Sequence, residues 1–160
     1  LEKEDRNSFS CGSEALDSYF RTQASQDVRK RVANCFIAFD EAKGKIAGFY
    51  TLSACHADLN LLPDDLRKKL PRYPNVPCVR LGRLAVDENY KGLKLGSALL
   101  AEAVHLSANA PMGVHMMIVD AKDDPAVAFY KHHGFRQDSD NPFILYAPIT
   151  TLAKALGILQ

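Results

Sequence analysis

No stretch of this 160-residue chain approaches the 18 or so consecutive apolar residues that cross a bilayer. Its start, LEKEDRNSF, also lacks the apolar centre of a secretory leader. These absences predict a cytoplasmic protein with no membrane partner. The chain begins at Leu1 and not at a methionine, which leaves open whether residues precede it. Cysteine is sparse: Cys11, Cys35, Cys55 and Cys78 lie far apart with no Cys-x-x-Cys pair, which argues against a zinc site or disulfide framework and predicts buried reduced thiols. Excess charge of either sign is missing as well. With 20 Lys and Arg against 19 Asp and Glu, any affinity for nucleic acid must come from local clusters. His56, His105, His115, His132 and His133 show no metal-ligand spacing, so no metal is expected. No repeat, low-complexity tract or linker interrupts residues 1–160, and a hydrophobic content of 47% at this length predicts one domain with a real core.

What is present is an alternation of element types. CGSEALDSYFRTQASQDVRKRV puts Ala15, Leu16, Tyr19, Phe20 and Ala24 on one helical face, with Ser13 as N-cap. ANCFIAFDEAKGKIAGFYTLSAC holds two β-rich runs around a turn containing Lys43-Gly44, which predicts an antiparallel hairpin. LPDDLRKKLPRYPNVP starts a short helix after Pro63, and Pro71, Pro74 and Pro77 forbid a long one, so it is expected to be a surface excursion. A strand (CVRLGRLAVD), an amphipathic helix (LGSALLAEAVHLSANA), a buried strand (VHMMIVDAK), a short helix ended by Gly134 (DPAVAFYKHHGF) and a last strand (PFILYAPI) follow, then a helix over 150–156. Strand-helix-strand crossovers of this kind predict a mixed α/β fold.

The junction of RLGRLAVD with YKGLKLGSALL is the most informative place in the chain. A glycine-containing turn at a helix start presents unpaired backbone N–H groups to one point, and the helix dipole adds positive potential there. Such a place suits a pyrophosphate. Neither G-x-G-x-x-G nor G-K-[ST] is present, so NAD and ATP are not favoured.

With LGRLAVDENYKGLKLGSALLAEA followed by IVDAKDDPAVAFYKHHGF, the chain resembles the GCN5-related N-acetyltransferases, over about residues 78–147. FSCGSEALDSYF, GFYTLS, LGRLAVD and VDAKDDPAVAFYKHHGF further resemble the acetyltransferase toxins of bacterial toxin-antitoxin pairs, over nearly the whole chain. The resemblance implies a mixed, partly antiparallel sheet with helices on both faces and a splay between two parallel strands for acetyl-CoA. It implies that Leu84, Ala85 and Val86 pair with the pantetheine arm, and that Lys91, Gly92, Leu93, Lys94, Leu95, Gly96 and Ser97 cradle the pyrophosphate. Asp123, standing where many relatives carry asparagine, Ala126 and Phe129 complete the implied cofactor contacts. Lys94 stands at a usual glycine position; the helical spacing of Leu95, Leu99 and Leu100 predicts that it lies in the first helical turn with negative φ.

Direct transfer to an amine needs a neutral nucleophile and a proton for the departing thiolate, and Tyr130 is the expected donor. The alternative for Tyr130 is a core aromatic beside Phe129. By resemblance the acceptor is the α-amine of aminoacyl-tRNA, the consequence is inhibited translation, and the partners are a second copy and a small antitoxin of ribbon-helix-helix type. Basic clusters supply candidate tRNA contacts: Arg29, Lys30 and Arg31 at a helix end, and Arg67, Lys68, Lys69 and Arg72 beside Tyr73. Arg80 and Arg83 join them as residues expected to project from one face of their strand. Cations at a helix C-terminus also satisfy the dipole alone, which is the structural alternative for the first cluster. Two rival functions stay open at this point: acetylation of a small amine or protein lysine, and a catalytically silent binding or repressor component.

Overall fold

The N-terminal half is organised by a cluster of aromatics that sequence spacing alone does not bring together. The computed structural model of the protein describes residues 3–158, and its chain clusters into two compact units, Leu1–Ser53 with Leu81–Ala103, and Ala54–Arg80 with Val104–Gln160. In the first unit, α1 (Lys3–Asn7), α2 (Glu14–Thr22) and α3 (Ala24–Arg29) precede the hairpin of β1 (Asn34–Asp40) and β2 (Lys45–Asp58). Ser13 caps α2, its side chain accepting from the Leu16 N–H, as expected. The single long helix predicted over this run is instead broken at Gln23, and α1 was not foreseen. Phe20 of α2 stacks on Phe49 of β2 with centroids 4.2 Å apart, and Phe9 meets both edge-on at 5.1 and 5.5 Å. The hairpin stands as predicted, with Gly44 at φ +63 in its turn.

Gly48 on β2 is a second fixed point of this unit. A Cβ there would lie 2.8 Å from Leu99 Cδ1 and 2.9 Å from the Ala85 carbonyl. Only glycine lets β3 (Asn75–Val86) and α5 (Leu95–Ala108) approach β2 this closely.

In the second unit, the excursion predicted over 62–77 holds α4 (Asp64–Arg67), an unforeseen helical turn (Leu59–Leu61) precedes it, and β3 takes up its last residues from Asn75. After α5 come β4 (Met116–Asp120), α6 (Asp124–His132), β5 (Arg136–Gln137), β6 (Ile144–Pro148) and α7 (Ile149–Ala155). The two-residue β5 was not foreseen; it is too short to leave an alternation signal. β4 pairs antiparallel with β6, Met116 opposite Pro148 through Asp120 opposite Ile144. Leu59, Leu62, Val76, Cys78, Met116 and Ile118 form the core on one side of these strands. The strand order is β1-β2-β3-β4-β6-β5, an open, mostly antiparallel sheet with β3 and β4 parallel. No helix among the described residues is long and apolar enough to cross a membrane.

Candidate active site

The segment between β3 and α5 is built by backbone and tethers. Leu84, Ala85 and Val86 are the last residues of β3 and lead into Asp87. The Asp87 N–H bonds to the Ala47 carbonyl at 2.8 Å, and its buried carboxylate accepts from Ser10 N–H at 3.0 Å and Asn89 N–H at 2.9 Å. Glu88 N–H returns to the Ser10 carbonyl at 2.8 Å, and Lys91 Nζ donates to the Cys11 carbonyl at 2.7 Å. Lys91, expected at the pyrophosphate, therefore has its ammonium on the backbone at the entry to α2. Gly12, at φ +89, lies under this tether, where a Cβ would come within 3.0 Å of Glu88 Oε1.

Between the tethered end and the helix the chain reverses through two left-handed residues, Gly92 at φ +82 and Lys94 at φ +60. The expectation for Lys94 was wrong in sign. The helical run LGSALLAEAVHLSANA does begin at Leu95 with α5, but the spacing of its leucines does not draw Lys94 into the first turn: Lys94 stands just before it, where the fixed loop ends demand a reversal. A non-glycine residue held at positive φ costs about 1–2 kcal/mol and persists where its surroundings over-determine it.

The same geometry makes an anion cradle. A left-handed residue followed by a right-handed one turns successive N–H groups inward around one point. Ala98 N–H bonds back to the Lys94 carbonyl at 3.2 Å, and Leu95 and Gly96 N–H find no acceptor among the described residues. The first turn of the 14-residue α5 carries no acidic side chain that would repel an anion. Gly92, Leu93 and Lys94 are exposed, and Leu95, Gly96 and Ser97 half-buried. These residues fit a pyrophosphate.

In the second unit, Asp123 caps α6, its Oδ1 accepting from Ala126 N–H at 2.9 Å. Asparagine and aspartate cap equally well, which accounts for the departure from asparagine at this position. Ala126 and Phe129 are half-buried on α6. Tyr130, 5% exposed, lies edge-on between Phe129 and Phe135 at 5.1 and 5.4 Å. Burial, helped by the Asp120 carboxylate, pushes its phenol well above the ordinary tyrosine range, so the hydroxyl keeps its proton.

The basic residues divide sharply once their partners are known. Arg80 and Arg83 do not share a face: three positions apart on a strand of period two, they point oppositely. Arg80 pairs with Asp120 at 2.6 Å, and the Arg83 guanidinium lies over the Tyr19 ring, 3.5 Å from its centroid. Arg31 sits at φ +59 directly after α3 and closes that helix, with Val32 N–H bonded to the Asp27 carbonyl at 2.9 Å. The side chains of Arg29, Lys30 and Arg31 are all exposed.

In the excursion, Arg67 pairs with Asp64, and Asp65 is gripped by both terminal nitrogens of Arg136 at 2.8 and 3.3 Å. That fork ties the excursion to β5. Arg67, Lys68 and Arg72 line a concavity of about 580 Å³ with Asn60 and Tyr73, whose ring is 71% exposed; Lys69 is exposed nearby in sequence.

Sequence reasoning missed two groups. Gly48 was signalled only as a glycine inside a β-rich run. The four thiols, none in a disulfide, are also not alike: Cys55, beside Cys78 and the Arg80 guanidinium, is pushed below the ordinary thiol range, whereas burial pushes Cys35 up to about 11. Among the described residues no group of three or more His, Cys, Asp or Glu is gathered as a metal site.

A β-strand ending in a tethered turn, an anion cradle at the head of a 14-residue helix and a mixed sheet with one parallel pair together describe an acyl-CoA-using fold, and a family model for the acetyltransferase (GNAT) family matches residues 3–135. The chain belongs to that family and is an acetyl-CoA-dependent N-acetyltransferase. It is 35% identical over 147 residues to a tRNA-acetylating toxin of Mycobacterium tuberculosis (strain ATCC 25618 / H37Rv), covering 89% of this chain and 84% of that one. It resembles the solved structure of AtaT complexed with acetyl-methionyl-tRNAfMet, with a TM-score of 0.83 at 30% identity, covering 93% of this chain and 90% of that one. It also resembles a tyrosine-to-phenylalanine mutant of the AtaT toxin bound to the C-terminus of the antitoxin AtaR and acetyl-CoA, with a TM-score of 0.78 at 27% identity, covering 96% and 93%.

Proposed function

We propose that this protein is a toxin that transfers the acetyl group of acetyl-CoA to the α-amine of aminoacyl-tRNA and so blocks translation. The observation that carries this is the free N–H cradle at the head of α5 in a chain 35% identical to a tRNA-acetylating toxin. Acetyl-CoA supplies an activated thioester. The Leu84–Val86 backbone holds its pantetheine arm, the 91–97 segment its pyrophosphate, and Asp123, Ala126 and Phe129 line its path.

Tyr130 delivers the proton that the departing thiolate needs. A phenol that stays protonated through neutral pH suits a donor and not a base. No strong base is required, because a free α-amine titrates near about 8 and esterification of its carboxyl lowers that value. The exposed cations Lys68, Lys69 and Arg72 contact acceptor-end phosphates, and Tyr73 stacks on an unpaired base. Arg29 and Lys30 add to the electrostatic attraction. The toxin acts in the cytoplasm as a homodimer and is neutralised by a small ribbon-helix-helix antitoxin. No metal takes part in this scheme.

Purified protein with labelled acetyl-CoA, offered charged tRNA, polyamines and lysine peptides, tests the assignment. Label on the aminoacyl α-nitrogen, located by mass spectrometry, is the expected outcome. Label on polyamine or lysine with none on charged tRNA overturns it.

A further inference from the structure

Beside the sheet edge of the first unit, α1, α2, α3 and β1 line an open cavity of about 280 Å³. Its walls are apolar, with Ala24 and Val28 from α3 and Cys35 and Ile37 from β1, apart from Ser25 and one charged side chain, Arg6 of α1. Arg6 is 8% exposed. Its Nη1 donates to the Phe20 carbonyl at 2.9 Å, its Nε is buried without an acceptor, and no carboxylate among the described residues pairs with it. The other ionisable group in the wall, Cys35, is held as a neutral thiol by its burial and supplies no counter-charge.

A buried guanidinium with one hydrogen bond and no counter-ion among the described residues is a costly arrangement unless an anion completes it. Its planar fork of donors matches a carboxylate, and the surrounding methyl and thiol groups offer nothing to the further oxygens of a phosphate. The volume sits just under the range of about 300 Å³ and more that holds drug-sized ligands, so the occupant is small. We propose that this cavity binds a carboxylate carried on a short apolar body, with Arg6 taking the carboxylate and Ala24, Val28 and Ile37 the apolar part. A free short-chain acid and the C-terminal residue of a polypeptide offer the same chemistry.

Calorimetry on the full chain with hexanoate and hexan-1-ol tests the site. The wild type is expected to prefer hexanoate by tenfold or more, and Arg6→Met to lose that preference. Ala24→Leu, which fills the cavity while keeping Arg6, is expected to bind neither probe. A hexapeptide ending in isoleucine with a free or an amidated C-terminus separates the two sources: tighter binding of the free-ended peptide than of hexanoate assigns a polypeptide terminus, the reverse a free acid. The Nε–H resonance of Arg6 followed during hexanoate titration gives a readout on the wild type alone, should Arg6→Met fold poorly. No shift of that resonance at millimolar hexanoate, or equal binding of hexanoate by wild type and Arg6→Met, overturns the proposal.

Discussion

The loop before α5 and the excursion before β3 are both short surface segments, yet they spend their residues in opposite ways. In the loop the work is done by backbone: Gly92 and Lys94 reverse the chain, Asp87 and Lys91 fasten it to Ser10 and Cys11, and the free groups are N–H donors. In the excursion the backbone is held by the Asp65–Arg136 fork and by Leu59 and Leu62 in the core, while Lys68, Lys69, Arg72 and Tyr73 are left free. A backbone cradle tolerates changes of side chain but not of path. A side-chain surface tolerates changes of path but not of charge.

The sharpest test of where chemistry resides is Tyr130→Phe, which belongs to neither loop. It is expected to lower turnover about 100-fold, the contribution of a positioned general acid, with acetyl-CoA affinity unchanged. Single-turnover kinetics beside calorimetry measures both, and undiminished turnover would remove Tyr130 from the reaction.

Next in size is the path dependence of the cradle. Gly48→Ala pushes a methyl against Leu99 of α5 and the Ala85 carbonyl, so stability should fall by about 1–3 kcal/mol. Acetyl-CoA affinity should drop with it as α5 shifts. Denaturant unfolding and calorimetry read the two effects, and a variant with wild-type values for both would show that the close approach is not needed.

Charge dependence of the excursion comes third. Reversing Arg67, Lys68, Lys69 and Arg72 to glutamate is expected to weaken tRNA use about tenfold or more at ordinary salt. The slope of log affinity against log salt should flatten by about 2, while acetyl-CoA binding stays intact. Persistence of the full slope would make these residues a solvated face.

The smallest effect tests the strain at Lys94. Lys94→Gly should raise stability by about 1 kcal/mol, because glycine takes positive φ without cost. Acetyl-CoA affinity should change by less than about 1.4 kcal/mol, a factor of ten, since the N–H groups that face the anion are kept. A melting temperature below wild type would show that the lysine side chain stabilises the loop more than its φ costs.

Local chemistry determined what the sequence by itself revealed. The Ser13 cap, the Lys43-Gly44 turn, the start of α5 at Leu95, the stop at Gly134 and the strand-loop-helix motif of the family each depend on neighbours within a few residues. Their physics is therefore written contiguously along the chain. Parity along a strand was equally local, and the opposite faces of Arg80 and Arg83 could have been counted from it. Tertiary structure decided the rest. The sign of φ at Lys94 follows from tethers to Ser10 and Cys11, some eighty residues away. The need for glycine at 48 follows from Leu99 and Ala85, and the loss of Arg80 and Arg83 as free cations from Asp120 and Tyr19. Whether a charge is free, a thiol reactive or a backbone strained depends on what is folded against it, and those partners lie far off in the chain.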